Sequence, residues 1–121
     1  MDGKEVEVID RAALLERLGG DVELFEEIAG LFREDCPKLL SEIRSAVHGA
    51  DAPALERAAH TLKGCVANFG AQAAFDAALR LERLGRAREL DGAASACETL
   101  ETEIVRFQQA LDALARELAK P

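Results

Sequence analysis

The stretch of sequence that decides the fold covers residues 97–118 and reads CETLETEIVRFQQALDALAREL. Apolar residues recur along it at alternating intervals of three and four positions, which places them on one face of an α-helix. That face consists of Cys97, Leu100, Ile104, Phe107, Leu111, Leu114 and Leu118. Such a face packs either inside a helical bundle or as the seam of a coiled-coil dimer. Because it extends over only about three heptads, we favour packing within the chain.

Two further helices are predicted in the N-terminal part of the chain. A short one covers about residues 10–18 and ends at a pair of glycines. A longer one starts at Asp21, whose carboxylate can cap a helix, and ends at Gly49. Pro37 lies inside the longer helix and removes one backbone donor. Because the apolar spacing resumes after the proline, we predict one bent helix rather than two.

The middle of the chain predicts two more helices. Asp51 before a proline is typical of a helix start, and Gly70 of a helix end. A fourth helix is expected over about residues 71–84, with a polar connection at 85–92. These elements predict an all-α fold, an antiparallel up-down-up-down four-helix bundle over about residues 21–118. The helix at about 10–18 would be a short cover helix, and residues 1–121 would form a single domain.

Composition and charge exclude several classes of function. The chain has 121 residues, 15 basic and 23 acidic side chains and a net charge of −8, which disfavours binding to nucleic acid. No apolar run approaches the roughly 20 residues of a membrane span, and the N-terminus lacks the apolar stretch of a signal peptide. Three cysteines without a CxxC pair and two histidines make no zinc pattern, so we expect no metal and a reducing cytoplasm.

His60 is the side chain that the helical pattern places away from the core. At about 100° per residue, the apolar line of the third helix points in one direction and His60 points about 160° from it. That apolar line consists of Leu55, Ala58, Leu62, Val66 and Phe69. Lys63 and Gly64 follow His60 by three and four positions, so both are its neighbours on the helix surface.

The residues around His60 favour phosphoryl transfer onto a ring nitrogen. A glycine inside a helix costs about 1 kcal/mol relative to alanine, and core packing does not require one at Gly64. Together with Ala67, Gly64 leaves the imidazole uncovered, so another protein's backbone could approach closely. Lys63 supplies a cation that could neutralise an oxyanion, and a neutral imidazole is a competent nucleophile.

Glu82 is the candidate partner for the other ring nitrogen. If the chain reverses near Gly70, His60 lies ten residues before that point and Glu82 twelve after it. Antiparallel helices would then bring the two residues to a similar height. Glu82 shares a partly apolar helix face, where a carboxylate without a partner is unfavourable. By accepting a hydrogen bond from Nδ1–H, it would fix the tautomer and leave Nε2 free to attack.

The sequence HTLKG at residues 60–64, followed by Gly70, resembles that of the histidine-containing phosphotransfer (HPt) family. The resemblance covers most of the chain, from Ile9 to Arg86. It implies a four-helix bundle that relays phosphoryl groups between aspartates of receiver domains in a multistep phosphorelay.

The resemblance also implies roles for the residues of the site. His60 would accept the phosphoryl group at Nε2, and Lys63 would assist it. Glu82 would bond the histidine, and Arg86 would lie near the phosphate. The receiver would dock over the exposed face, with Gly64 admitting it and further contacts at Ala59, Ala67, Asn68 and Gln72.

The expected partners are response-regulator receiver domains, a hybrid histidine kinase, or both. The receiver would supply magnesium, so we expect the chain itself to hold no cofactor and no metal. It has no room for an ATP-binding domain and would be a cytoplasmic, monomeric phosphocarrier without kinase activity. Met1 and the short tails favour a freestanding protein, but the sequence leaves open a fragment of a hybrid kinase. Three alternatives stay open: an adaptor that docks a receiver or kinase without taking phosphate, a phosphoacceptor domain fed directly by a histidine kinase, and an oligomer built on the last helix.

Overall fold

A computed structural model describes residues 8–119 of the chain. Its five helices are α1 (Arg11–Leu18), α2 (Val22–His48), α3 (Ala52–Ala67), α4 (Gln72–Ala87) and α5 (Ala93–Ala119). Over the described residues the chain forms helices and turns but no strand, so the all-helical prediction is confirmed. The predictions for residues 1–7 and 120–121, which include the N-terminal segment and both ends of the single domain, lie outside this range.

Aspartates start the first three helices, as the sequence predicts. The carboxylate of each accepts a hydrogen bond from the backbone N–H three residues later, which satisfies a donor that has no partner inside the helix. The pairs are Asp10 with Ala13 at 3.1 Å, Asp21 with Leu24 at 3.0 Å, and Asp51 with Ala54 at 3.1 Å. α2 then continues through Pro37 without interruption, which confirms that the proline does not divide it.

The apolar face of α5 packs inside the chain. Six of its seven predicted residues are buried, and the seventh, Leu118, is partly buried against the same core. Phe107 of α5 lies 4.8 Å from Phe32 of α2 and 5.2 Å from Phe69 in the turn after α3, measured between ring centroids. The three rings meet edge-on or tilted, which is the geometry that aromatic quadrupoles favour. The seam that could have joined two chains is therefore used within one.

Contacts between helices define the order of packing. α3 contacts α2 and α4, and α5 contacts α4 and α2, so each of these four helices has two neighbours among the other three. α2 also contacts α1. In both the α3–α4 pair and the α2–α5 pair, the ion pairs join earlier positions of one helix to later positions of the other. They are Glu56 with Arg86, His60 with Glu82, Arg33 with Asp112, and Arg44 with Glu101. Both pairs of helices are therefore antiparallel.

α1 lies against the turn between α3 and α4. The backbone N–H of Asp10 donates to the carbonyl of Gly70 at 3.4 Å, and the Arg17 side chain donates to the carbonyl of Asn68 at 2.8 Å. Leu14 is buried, and Arg11 pairs with Glu117 near the end of α5. These contacts place α1 at the end of the molecule where α3 stops and α4 starts.

The prediction that a polar connection begins at Gly85 is wrong. α4 continues to Ala87 and ends at Arg88, whose φ of 57° lies in the left-handed region. Gly85 is a buried helical residue, and a Cβ there would lie 2.8 Å from the backbone nitrogen of Glu56 and 2.9 Å from the carbonyl oxygen of Ala52. The glycine therefore permits α4 to approach the backbone of α3 and does not end the helix.

Candidate functional site

His60 projects from the middle of α3 with 65% of its side chain exposed. The structure thus places it on the outer face that the helical spacing indicates. Its Nδ1 atom lies 2.9 Å from Oε2 of Glu82 in α4. The sequence brings these two residues to a similar height across the turn, and the structure joins them.

Glu82 occupies a core position although it carries a carboxylate. Its side chain is only 2% exposed, and it is the one buried charged residue in the part of the chain that the structure describes. Nη2 of Arg86 lies 2.8 Å from Oε2, the oxygen that also faces His60. Nζ of Lys63 lies 2.7 Å from Oε1 in an ion pair. Three basic side chains therefore surround one buried carboxylate.

The state of Glu82 decides which nitrogen of His60 carries the ring proton. Burial by itself raises the pKa of Glu82, but contacts with Lys63 and His60 outweigh it and hold the pKa below its usual range. The carboxylate is therefore ionised near neutral pH and can only accept hydrogen bonds. Since Nδ1 of His60 faces that acceptor, Nδ1 carries the ring proton and Nε2 keeps the lone pair.

Lys63 is less exposed than the sequence predicts. Only 20% of its side chain meets solvent, its ammonium group is directed at Glu82, and it also lies 5.9 Å from the ring centroid of Phe75. The helical pattern correctly makes Lys63 a neighbour of His60 but does not show that α4 supplies a carboxylate for it. In this structure the ammonium group of Lys63 is paired with the carboxylate of Glu82. This contact also holds the ammonium group close to the imidazole of His60.

Small side chains lie beside His60 on the surface of α3. Gly64 is exposed, and a Cβ added there would meet no atom within 4 Å, so packing within the chain does not require glycine. Ala67 is half-buried and Asn68 is exposed. Ala59, expected on this surface, is fully buried, because it lies one turn before Lys63 on the side of α3 that faces α4.

Two other expected site residues donate hydrogen bonds to carboxylates of this chain. Gln72 is exposed at the start of α4, and its side-chain amide donates to Asp76 at 2.8 Å. Arg86 lies at the predicted site but divides its donors between Glu82 and Glu56, with Nε 2.9 Å from Oε2 of Glu56. Arg86 is therefore held between two carboxylates.

Sequence reasoning missed Glu56 and Arg57, which precede His60 by one turn. Both line an open pocket of about 430 Å³ beside the imidazole, together with Thr61, Glu82 and Arg86. The signal was present in the sequence, because positions three and four residues before a helical residue are its surface neighbours.

Residues 8–119 contain neither a cluster of metal-ligating side chains nor a helix of membrane-spanning character. No group of three or more histidine, cysteine or carboxylate side chains is arranged there to hold a metal ion. No helix in that range is long and apolar enough to cross a membrane. Burial raises the pKa of the Cys36 and Cys97 thiols to about 11, so both are protonated near neutral pH.

Comparison with known proteins assigns the family. The model of the Hpt domain family matches residues 27–117, a range that includes His60 and all of its neighbours described above. The chain belongs to the Hpt domain family. Membership makes it a histidine phosphotransfer protein of two-component phosphorelay signalling, as the resemblance in its sequence implies, and members of the family are phosphocarriers rather than kinases.

A solved structure agrees with the fold. The histidine-containing phosphotransfer protein B from Pseudomonas aeruginosa PAO1 superimposes with a TM-score of 0.85 and 23% sequence identity, over 93% of this chain and 98% of that one. At this identity the likeness concerns the fold. No curated protein matches the chain.

Proposed function

We propose that this protein carries a phosphoryl group on Nε2 of His60 and passes it between the receiver domains of a phosphorelay. The observation that supports this most strongly is the contact between Nδ1 and the buried, ionised Glu82. It fixes the tautomer in which the exposed nitrogen is the nucleophile.

The transfer step follows from this arrangement. The Nε2 lone pair attacks the phosphorus of an aspartyl phosphate on the receiver, the N–P bond forms, and the P–O bond to the aspartate breaks. The receiver carboxylate leaves with the electron pair, and the proton on Nδ1 stays where it is. Because the ring becomes positively charged, the carboxylate of Glu82 stabilises the product as well as orienting the reactant. Attack by a second receiver's aspartate on the phosphohistidine reverses these steps.

Lys63 helps to keep Glu82 ionised, and we assign it a second role at the phosphoryl group. Its flexible side chain starts one turn from His60, so its ammonium group can exchange Oε1 of Glu82 for a phosphoryl oxygen. Arg86 contributes charge at the edge of the same site. Most of the catalysis consists of positioning and electrostatic stabilisation, as in phosphoryl transfer generally.

The receiver docks over the exposed face of α3. Gly64 admits its backbone, and Ala67 and Asn68 contribute to the contact. We expect receivers and a hybrid histidine kinase as partners, and magnesium bound by the receiver rather than by this chain. We further propose a cytoplasmic monomer without ATP-dependent kinase activity, in which α2 to α5 form an up-down-up-down bundle and α1 is the cover helix.

Label transfer tests this proposal. The protein is incubated with a receiver that carries radioactive phosphate, and transfer to it is measured. The label should be acid-labile and alkali-stable, as expected for a phosphoramidate bond, and His60→Gln should abolish it. His48→Gln is the matched control, because His48 is also an exposed helical histidine and lies outside the site. Transfer to the His60→Gln variant at the parent rate would contradict the assignment.

Label transfer together with a measurement of receiver binding distinguishes the adaptor alternative. If the protein is an adaptor, the parent and the His60→Ala variant should bind receivers with equal affinity. Neither should form phosphohistidine with any donor. That combination of results would replace phosphotransfer by docking alone.

A further inference from the structure

The direction of side chains in an α-helix turns the imidazole of His60 towards the turn that precedes it rather than the turn that contains Lys63. Helical side chains point back towards the N-terminus of their helix, so His60 covers the turn of Glu56 and Arg57. The pocket of about 430 Å³ beside His60 agrees with this direction, because Glu56, Arg57 and Thr61 line it and Lys63 does not. A group attached to Nε2 therefore has space on the Arg57 side.

The charges around this pocket leave one guanidinium available. Lys63 and Arg86 both face carboxylates, at 2.7 Å and 2.8 Å from Glu82, and Arg86 also contacts Glu56. Arg57 is exposed and makes no ion pair with any residue in 8–119. Its backbone carbonyl accepts a hydrogen bond from Thr61 at 3.0 Å, so its position on the helix is fixed while its side chain stays available.

We propose that Arg57 binds the phosphoryl oxygens on Nε2 of His60. This inference rests on the proposed function. Before transfer, the negative charges of Glu56 and Glu82 are balanced by the positive charges of Lys63 and Arg86. The phosphoryl group adds two negative charges beside an imidazole ring that carries one positive charge, on a protein whose net charge is already −8. A guanidinium can offer two parallel N–H donors to such oxygens, which an ammonium group cannot.

The test compares Arg57→Ala with Arg83→Ala. Arg83 is exposed on α4, is not among the residues that line the pocket of His60, and makes no ion pair within residues 8–119. Both variants lower the net charge by one, so the pair separates a local contact from a general electrostatic effect. Phosphorylation of His60 is followed with phosphoramidate, a small phosphodonor, and separately with a phosphorylated receiver. Circular dichroism checks that each variant is folded.

Arg57→Ala should lower the rate with both donors by about five- to tenfold, a size typical of a partly exposed charged hydrogen bond. Arg57→Lys should restore only part of this loss, and Arg83→Ala should match the parent. An unchanged rate with phosphoramidate overturns the proposal: if only the receiver reaction slows, Arg57 contacts the receiver, and if neither slows, it contributes nothing to transfer. Because the parent protein still takes label on His60 in either case, these results leave the proposed function intact.

Discussion

Two antiparallel helix pairs of this molecule use charge in opposite ways. Between α2 and α5, Arg33 pairs with Asp112 and Arg44 with Glu101, and all four side chains are between 37% and 54% exposed. Between α3 and α4, the carboxylate of Glu82 is 2% exposed and takes a position that an apolar residue would fill. The first arrangement borders an apolar core, and the second places a charge inside it.

The difference between the two helix pairs shows that the buried charge of Glu82 serves the chemistry of the site more than the stability of the fold. Exposed ion pairs contribute little, and a buried ion pair is often no more stable than well-packed apolar residues in its place. Glu82 is therefore poorly explained by stability and well explained by its contact with Nδ1 of His60. The contact also depends on Gly85, which lets α4 approach the backbone of α3 in the turn after Glu82. The predictions below test this contrast.

Gly85→Ala should have the largest effect. The new Cβ would lie within 3 Å of backbone atoms of α3, which cannot move aside as a side chain can. We expect the free energy of unfolding, measured in urea, to fall by about 1–3 kcal/mol. Phosphotransfer from a receiver should fall too, because α4 carries Glu82 away from His60. Gly30→Ala, inside α2 with no atom within 4 Å of the added Cβ, is the control. Equal stability of the two variants would disprove the close approach.

Glu82 should make stability depend on pH in the acid range. Its pKa is lowered in the folded protein, chiefly by Lys63 and His60 against the opposing effect of burial. The stabilisation is therefore complete above the unfolded value of about 4.3 and is lost as the pH falls through the folded pKa. Unfolding free energies of the parent and Glu82→Gln should converge below about pH 4.3 if the parent is the more stable, or diverge further if it is the less stable. A difference that stays constant from neutral pH to about pH 3 would contradict the ionised state.

Gly64→Ala should separate stability from function. Alanine is the better helix former and meets no neighbour, so the free energy of unfolding should stay the same or rise by about 1 kcal/mol. Transfer from a phosphorylated receiver should slow, because the added methyl group lies where the partner's backbone approaches, whereas phosphorylation by phosphoramidate should be retained. If the receiver reaction keeps its rate, Gly64 does not serve access.

Arg33→Ala should have the smallest effect. It removes an ion pair whose partners are both largely exposed, so we expect a loss of about 0.2–1 kcal/mol that shrinks at high salt. Phosphotransfer should be unchanged, because the pair lies between α2 and α5. A larger loss of stability would show that this exposed ion pair contributes more than expected. Slower transfer would show that it also supports the site.

Local features made much of the fold and site predictable. The helical period, the aspartate caps and the apolar face of α5 each depend on residues within a few turns of one another. The pairing of His60 with Glu82 needed only that period and the position of the turn near Gly70. Exposure of His60 followed from the same spacing.

The missed features depend on the distance between helices. Gly85 resembles a helix stop in the sequence, and its actual role exists only because the α3 backbone passes within 3 Å of an added Cβ. Lys63 has a long, flexible side chain that could equally extend into solvent. It forms an ion pair with Glu82 because α4 places that carboxylate, buried, next to α3. Arg57 becomes a candidate phosphoryl ligand only because the structure pairs Lys63 and Arg86 with carboxylates.

The central claim is that Nδ1 of His60 holds its proton against Glu82 while Nε2 takes the phosphoryl group. NMR of protein labelled with ¹⁵N-histidine and phosphorylated by its receiver measures this directly. The account predicts ³¹P–¹⁵N coupling to Nε2 of His60 and a protonated Nδ1. Coupling to Nδ1, or phosphate on another residue, would contradict it.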